Sequence, residues 1–211
     1  MKKKLKIFMG YSGSKGFAQE AEARGHEVVT CDAEPKYEPD WIKDMLEIDV
    51  EMLVEGFDVI QLSPMCTSMT LASGNTHWDA EHNPRTLTAV VGRAHLNWCL
   101  KVLDACTQMG KLCFIENPNG RGVWFLPDKY RVMVTYCSYG DTRMKLTNWW
   151  HNCYEWNPRV KCKNNNPDCD HERAPRGSKT GTQGLKNSFE RSRIPKELCL
   201  EIIEAAEKHF T

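Results

Sequence analysis

Two side chains that can do chemistry follow predicted strands: the thiol of Cys66 and the carboxylate of Glu116. Cys66 ends the sequence SPMC (residues 63–66), and Glu116 begins the sequence ENP (residues 116–118). Each sequence comes directly after a short apolar stretch. Because ligands of an open α/β sheet bind beyond the carboxyl ends of its strands, we expect the two groups to face one crevice. Taken singly, Cys66 could be a buried core thiol and Glu116 a turn residue. Their occurrence together, at the ends of two strands, favours a reactive site.

A glycine-rich turn and an acidic residue follow two further predicted strands. The sequence GYSGSKG (residues 10–16) comes after the first apolar stretch, helical spacing stops at Gly25, and a second strand ends at Asp32. Strand, glycine turn, helix, strand and acid are typical of the opening of a nucleotide-binding βαβ unit. Backbone amides of the turn would approach the ligand, and the carboxylate would accept hydrogen bonds from ribose hydroxyls. A tight βα turn without a ligand is the alternative explanation.

The rest of the chain alternates between strand and helix patterns. Predicted strands cover residues 4–9, 26–31, 57–62, 111–115, 130–136 and 145–150, and predicted helices cover residues 17–24, 86–109 and 194–210. This alternation predicts an α/β fold with a mostly parallel sheet. The polar segment from residue 151 to 185 lacks periodicity and is interpreted as a small irregular insert. We therefore expect a catalytic domain over residues 1–150, the insert, and a C-terminal helix within residues 186–211 that returns to the catalytic domain.

In order along the chain, these motifs resemble those of DNA cytosine carbon-5 methyltransferases, and most of all the short phage-type members. The matching stretches are GYSGSKGF (residues 10–17), Asp32, SPMC and ENP; YCSYG (residues 136–140) and RMKLTN (residues 143–148), which resemble the later basic motif; and RIP (residues 193–195) with Leu198, which resembles the final motif. The resemblance covers most of the chain outside residues 151–185. It implies a Rossmann-like S-adenosylmethionine-dependent methyltransferase fold.

The resemblance also implies a role for each matching residue. Cys66 would add to carbon 6 of cytosine and Glu116 would bind the ring edge, with Arg143 and Lys145 in the same catalytic site. S-adenosylmethionine would be bound by Tyr11, Ser12, Gly13, Phe17, Asp32 and Pro64, with Asp44 near the adenine. DNA is the implied partner, and the insert of residues 151–185 lies where this family places target recognition. The target base would leave the duplex, and residues 67–75 would form a mobile loop that closes over the base.

Two departures from the family pattern leave other functions open. Met65 stands where the second proline of the turn is expected. The later basic motif of the family is reduced to Arg143 and Lys145, whose spacing differs from that of the usual basic pair. A relative that transfers a modified group, and a catalytically silent DNA-binding relative, are both compatible with these changes. DNA amino methyltransferases end the corresponding turn in an aromatic residue that stacks on the base. Because this chain ends the turn in Cys66, carbon-5 chemistry is favoured.

The ten cysteines fall into groups with different expected roles. Neither a membrane span of roughly 20 apolar residues nor a signal peptide is recognisable, so we expect a cytoplasmic protein (in the host cell, if phage-encoded) without a disulfide framework. Core positions are expected for Cys31, Cys99, Cys106, Cys113 and Cys199. The remaining candidates cluster in the irregular insert and suit a structural zinc ion: Cys153, Cys162, Cys169 and His171. The sequence spacing of these four residues differs from the closely spaced Cys-x₂₋₄-Cys pair of many zinc sites. Thiols on a surface loop, without a metal ion, are the alternative interpretation.

Charge is balanced over the whole chain but not along it. The totals are 28 basic and 28 acidic side chains, yet residues 1–60 carry eight basic and thirteen acidic ones, and residues 157–196 carry ten basic and four acidic ones. A polyanion partner and a solvated loop explain the basic segment about equally well. Its candidate phosphate contacts are Lys161, Lys163, Arg173, Arg176 and Lys179. Trp149, Trp150 and Trp156 are interpreted either as base-stacking surfaces or as core residues.

Overall fold

A single seven-stranded sheet organises the protein, whose computed structural model describes residues 3–73, 75–172 and 188–211. The strands are β1 (Lys6–Gly10), β2 (Glu27–Asp32), β3 (Trp41–Ile42), β4 (Val59–Leu62), β5 (Leu112–Pro118), β6 (Arg131–Thr135) and β7 (Leu146–His151). They lie in the order β3-β2-β1-β4-β5-β7-β6, and β7 alone among them runs against the rest. The predicted class, an α/β fold with a Rossmann-like, mostly parallel sheet, is confirmed.

Helices cover both faces of this sheet. The described residues form α1 (Gly16–Ala23), α2 (Val50–Gly56), α3 (Leu87–Gln108), α4 (Ser188–Ser192) and α5 (Lys196–His209), together with short 3₁₀ turns. Helix α3 begins where the hydroxyl of Thr86 accepts the backbone N–H of Ala89, which satisfies one of the free donors of the first turn. Helix α1 ends at Ala23, and Gly25, directly after the C-cap residue Arg24, adopts the left-handed conformation expected of a glycine at this position. None of the described helices is long and apolar enough to cross a membrane.

Two apolar cores, one on each face of the sheet, hold the helices. Helices α1 and α5 pack on one face with Ile7 and Trp149, and α2 and α3 pack on the other with Phe8 and Trp150. Consecutive strand residues point to opposite faces, so the neighbouring tryptophans of β7 fill different cores. Trp156 is buried with Trp149. Core packing is therefore the correct explanation for all three tryptophans, and the stacking-surface alternative is wrong.

The core cysteines lie where the sequence predicts them. All five are buried free thiols: Cys31, Cys99, Cys106, Cys113 and Cys199. Most element boundaries differ from the predicted ones by one or two residues, and two of the differences have a clear cause. Strand β5 continues through Glu116 to Pro118, because Glu116 pairs with Trp149 and Asn117 with Asn148 of the antiparallel strand β7. Helix α5 begins at Lys196, later than expected, and Pro195 is its N-cap residue.

Candidate active site at the carboxyl edge of the sheet

Strand register brings the predicted site residues to one edge of the sheet. Gly10, the last residue of β1, pairs with Cys31 on one side and with Leu62 on the other, and Leu62 pairs in turn with Ile115. The four segments that follow β1, β2, β4 and the middle of β5 therefore leave from one edge. These segments carry the glycine turn, Asp32, Cys66 and Glu116, as the sequence predicts.

The glycine turn and Asp32 form one wall of this edge. Asp32 accepts the backbone N–H of Gly13 at 3.0 Å with one carboxylate oxygen and that of Glu34 at 3.0 Å with the other. A carboxylate has about four acceptor positions, so two remain for a ligand. Gly13 has a φ of +43°, a conformation that favours glycine. The hydroxyl of Ser12 is buried and has no hydrogen-bond partner among the described residues.

Three other predicted cofactor residues lie beside this wall, and one does not. The Tyr11 hydroxyl is hydrogen-bonded to Nδ1 of His95 at 2.9 Å, and Nε2 of His95 lies 3.8 Å from the carboxylate of Asp44. Burial lowers the pKa of His95, so its ring is neutral at pH 7. Pro64 is buried in the turn before Cys66. Phe17, in contrast, packs in the hydrophobic core between α1 and α5, so its ring serves packing.

Cys66 lies in a loop that two residues of the β5 segment hold in place. The carbonyl of Pro64 accepts a hydrogen bond from the side-chain amide of Asn117 at 3.0 Å. Further along the loop, Thr70 forms a bridge with Gly120, where an added Cβ would lie 2.1 Å from the carbonyl oxygen of Met69. Only glycine allows this close approach of two backbones. The loop before and after Cys66 is thereby fixed to the segment that carries Glu116.

Arg121 is a site residue that the sequence reasoning missed. Its side chain is buried and donates to the backbone carbonyl of Thr70 at 2.8 Å, while its own N–H donates to the carbonyl of Met69 at 2.7 Å. The sequence feature that could have indicated this residue is its position, directly after the sequence ENPNG (residues 116–120). Residues 67–75 were predicted to be a mobile closing loop; the described part of them is tied to Gly120 and Arg121, and residue 74 lies outside the described residues.

The thiol of Cys66 is only partly exposed, and its surroundings favour the protonated form. Burial raises the pKa of the Cys66 thiol, and the negative charge of Glu116 raises it further. The ammonium of Lys145 acts in the opposite direction but does not cancel these effects. The three side chains therefore form one electrostatic group, in which the resting thiol is protonated at neutral pH.

Glu116 is buried beneath this edge and is contacted by two donors. The residue is 5 % exposed. One oxygen of its carboxylate, Oε1, accepts a hydrogen bond from the Tyr136 hydroxyl at 3.1 Å and also lies 3.5 Å from Nζ of Lys145. Burial keeps the Tyr136 phenol protonated by raising its pKa. Nζ of Lys145 also lies 4.7 Å from the centre of the Tyr136 ring, a cation–π contact. Glu116 is thus a fixed, buried carboxylate and not a turn residue.

Arg143 and Lys145 occupy different environments, although the sequence predicts a common catalytic role. The guanidinium of Arg143 is buried, forms a two-point ion pair with the carboxylate of Asp141 and donates to the carbonyl of Arg191 at 3.1 Å. Lys145 donates to the same carbonyl at 3.4 Å, but of the two side chains it is Lys145 that also forms an ion pair with Glu116. Lys145 is therefore the basic side chain beside the candidate catalytic carboxylate, and Arg143 positions the segment that carries it.

The predicted metal set needs one correction. Cys153 is 1 % exposed, packs in the core and donates to the carboxylate of Glu155 at 3.5 Å, so it is not a member of the cluster. Its place is taken by Cys137, whose sulfur lies with the donor atoms of Cys162, Cys169 and His171, all within 4.8 Å of one another.

Of the candidate phosphate contacts, Lys161 and Lys163 are exposed, and Arg173, Arg176 and Lys179 lie outside the described residues.

Comparison with known proteins yields structural similarity only. No protein-family model and no curated protein sequence matches this chain. Similar solved structures include the Entamoeba histolytica methyltransferase EhMeth, 12 % identical over 71 % of this chain and 52 % of that chain, with a TM-score of 0.47. Dnmt2 methyltransferase of S. pombe is 11 % identical over 71 % and 49 %, with a TM-score of 0.43, and a mutant DNMT2 of Spodoptera frugiperda is 15 % identical over 69 % and 49 %, with a TM-score of 0.39. The chain spans about half the length of these structures.

Proposed function

We propose that this chain transfers a methyl group from S-adenosylmethionine to carbon 5 of cytosine in DNA, through a covalent adduct with Cys66. The observation that carries the proposal is the placement of a partly buried thiol in the loop after β4 and of a buried carboxylate on the adjacent strand β5. Both lie at the edge that holds the glycine turn and Asp32. The resemblance of these motifs to short phage-type cytosine methyltransferases supports cytosine as the target.

The wall formed by the glycine turn and Asp32 suits S-adenosylmethionine. The Asp32 carboxylate retains acceptor positions for a pair of ribose hydroxyls, and the buried Ser12 hydroxyl has no partner among the described residues. Gly13 presents its backbone without a side chain. Tyr11, Asp44 and Pro64 would complete the cofactor site. When bound, the cofactor supplies an electrophilic methyl group.

Cys66 and Glu116 divide the activation of cytosine between them. Carbon 5 of cytosine is a poor nucleophile, and addition of the Cys66 thiolate to carbon 6 converts the ring to an enamine. The Cys66 thiol first gives its proton to the Glu116 carboxylate. A new bond then forms between sulfur and carbon 6, the electrons of the carbon 5–carbon 6 double bond move towards ring nitrogen 3, and that nitrogen receives the same proton from the Glu116 carboxyl. After transfer, a water molecule accepts the carbon-5 proton, the carbon 5–carbon 6 double bond forms again and the bond between sulfur and carbon 6 breaks. Ring nitrogen 3 returns its proton to the Glu116 carboxylate, and Cys66 leaves as a thiolate.

The neighbours of Glu116 keep its carboxyl aimed at the ring edge. Tyr136 donates its hydroxyl to one carboxyl oxygen, and Lys145 places a positive charge beside the same oxygen. These contacts leave the other oxygen for the base. Because Cys66 is partly buried and Glu116 is buried, the target cytosine must leave the duplex to reach them.

Two alternatives remain in direct competition with this proposal. Met65 is 41 % exposed at the turn where the family has a second proline, and this departure suits a catalytically silent or altered-cofactor DNA-binding relative. A DNA amino methyltransferase is the other alternative, although a thiol cannot stack on a base as the aromatic residue of that class does. Both differ from the proposal in their reaction products.

Incubation with methyl-labelled S-adenosylmethionine, followed by analysis of the nucleosides, distinguishes the three functions. With cytosine-containing duplex DNA, the proposal predicts label in 5-methylcytosine. Label in the exocyclic amino group of cytosine or adenine would identify an amino methyltransferase. Cofactor and DNA binding without transfer would identify the silent relative, and transfer to RNA alone would contradict the assigned substrate.

The raised pKa of Cys66 gives a pH prediction. Because the resting thiol is protonated at neutral pH, its thiolate fraction increases about tenfold for each pH unit until the pKa is reached. We expect the rate of Cys66 alkylation by iodoacetamide in the free protein to increase in the same way from pH 7 to pH 9. Peptide mass spectrometry follows this one residue among the ten cysteines. A rate that is already high and constant at pH 7 would show instead that the site stabilises the thiolate.

A further inference from the structure

Three cysteines and a histidine come together beside the candidate active site, from two distant parts of the chain. Cys137 lies in the 3₁₀ turn Tyr136–Tyr139 that follows β6, and the other three residues lie in the irregular insert. Nδ1 of His171 is 3.5 Å from Sγ of Cys162 and 3.2 Å from Sγ of Cys169. All four donor atoms lie within 4.8 Å of one another.

We propose that Cys137, Cys162, Cys169 and His171 bind a structural zinc ion. In a tetrahedral zinc site with sulfur ligands at about 2.3 Å and a nitrogen ligand at about 2.0 Å, neighbouring sulfurs are about 3.8 Å apart and sulfur and nitrogen about 3.5 Å apart. The two sulfur–nitrogen distances, 3.5 Å and 3.2 Å, agree with the second of these edges, and all four donor atoms lie within 4.8 Å of one another. Three thiolates and one imidazole fill all four positions, which is typical of a structural rather than a catalytic zinc site.

Contacts around the four ligands favour the same assignment. The side-chain amide of Asn166 donates to Sγ of Cys162 at 3.4 Å, the kind of outer contact that stabilises a metal-bound thiolate. The backbone N–H of Cys162 donates to the Thr135 hydroxyl at 2.8 Å, which fixes this ligand against the end of β6. The insert has few apolar side chains of its own, so a metal ion would supply the stabilisation that a core supplies elsewhere.

The zinc ion would connect the insert to the two side chains that contact Glu116. Cys137 directly follows Tyr136, whose hydroxyl donates to the Glu116 carboxylate. On the other side, the residue after His171 donates its backbone N–H to the carbonyl of Thr142 at 2.7 Å, close to Lys145. The four ligands therefore hold together the segment from Tyr136 to Lys145 that surrounds the carboxylate. The zinc assignment itself does not depend on the proposed methyl transfer.

Native mass spectrometry and elemental analysis of the full chain, purified under reducing conditions with zinc present, test this proposal. We expect one zinc ion per chain in the parent protein, and its loss in Cys137→Ser and in Cys169→Ser. Cys153→Ser is the matched control, because this cysteine lies in the same segment of sequence but packs in the core. We expect Cys153→Ser to retain the zinc ion.

Cobalt substitution gives a second measurement that needs no variant. The parent chain loaded with cobalt in place of zinc should show intense thiolate-to-metal charge-transfer absorption and the visible bands of a tetrahedral site. Removal of the metal by a chelator should lower the thermal midpoint, since the ion stabilises the folded state that binds it. A parent chain that binds no zinc, that has an oxidised pair among these cysteines, or that keeps zinc in Cys137→Ser but loses it in Cys153→Ser would overturn the proposal.

Discussion

Replacement of Cys66 by serine is expected to lower the rate of methyl transfer by about 10⁴-fold or more, which is the scale of loss seen when a catalytic nucleophile is removed. A hydroxyl is far less ionised than a thiol and is a weaker nucleophile, so it cannot form the adduct with carbon 6. Cofactor affinity should be unchanged, because the glycine turn and Asp32 lie on other strands. Single-turnover transfer from labelled S-adenosylmethionine and calorimetric titration of the cofactor measure the two effects separately.

A second cysteine offers a matched control for this variant. Cys106 is a buried free thiol near the end of α3, which leads into the amino-terminal end of β5 and so lies at the opposite edge of the sheet. Cys106→Ser introduces the same chemical change far from the site and should leave the transfer rate close to that of the parent. Substantial activity in Cys66→Ser would reject Cys66 as the nucleophile.

Replacement of Glu116 by glutamine is expected to lower turnover by about 10²–10⁴-fold, the range usual for a positioned acid. Glutamine keeps the shape and a hydrogen-bond donor for the ring edge, but it has no proton to transfer to ring nitrogen 3. It can also still accept the hydroxyl of Tyr136 through its carbonyl oxygen. The fold and the cofactor affinity should therefore change little, and the loss should appear in the single-turnover rate.

Glu55 provides the control for the glutamine substitution. It is exposed on α2, near the amino-terminal end of β4, so Glu55→Gln makes the same change of charge outside the site. We expect parental turnover in this variant. If Glu116→Gln methylates as fast as Glu55→Gln, Glu116 does not supply a proton and the carbon-5 mechanism is wrong.

The elements whose structure follows from their own local sequence could be predicted, and with them the site residues at their ends. Alternating apolar stretches and turn residues indicated most of the long strands and helices, and the parallel topology then placed Asp32, Cys66 and Glu116 at one edge. Short elements lack such periodicity, so β3, α2 and α4 were not predicted. The end of β5 was also missed, because its last residues are held by pairing with β7 and not by their own propensity.

Residues whose roles depend on distant contacts could not be assigned from sequence. Cys153 is close in sequence to the other metal candidates, yet its position after β7 directs it into the core. Cys137 comes 25 residues before Cys162 and enters the cluster only because the insert folds back on the end of β6. Similarly, Arg121 acts on the Cys66 loop through a contact that spans 51 residues. The tertiary fold decides all three positions.

Trapping of the covalent adduct tests the central claim most directly. A DNA oligonucleotide with 5-fluorocytosine in place of the target cytosine, incubated with the protein and S-adenosylmethionine, holds the adduct because fluorine cannot leave carbon 5 as a proton does. Peptide mass spectrometry then identifies the attached residue. We expect a stable complex in which the modified base, carrying the methyl group, is attached through Cys66, and no complex with Cys66→Ser. Efficient methylation of normal DNA without a trapped complex, or attachment through any other cysteine, would contradict the central claim.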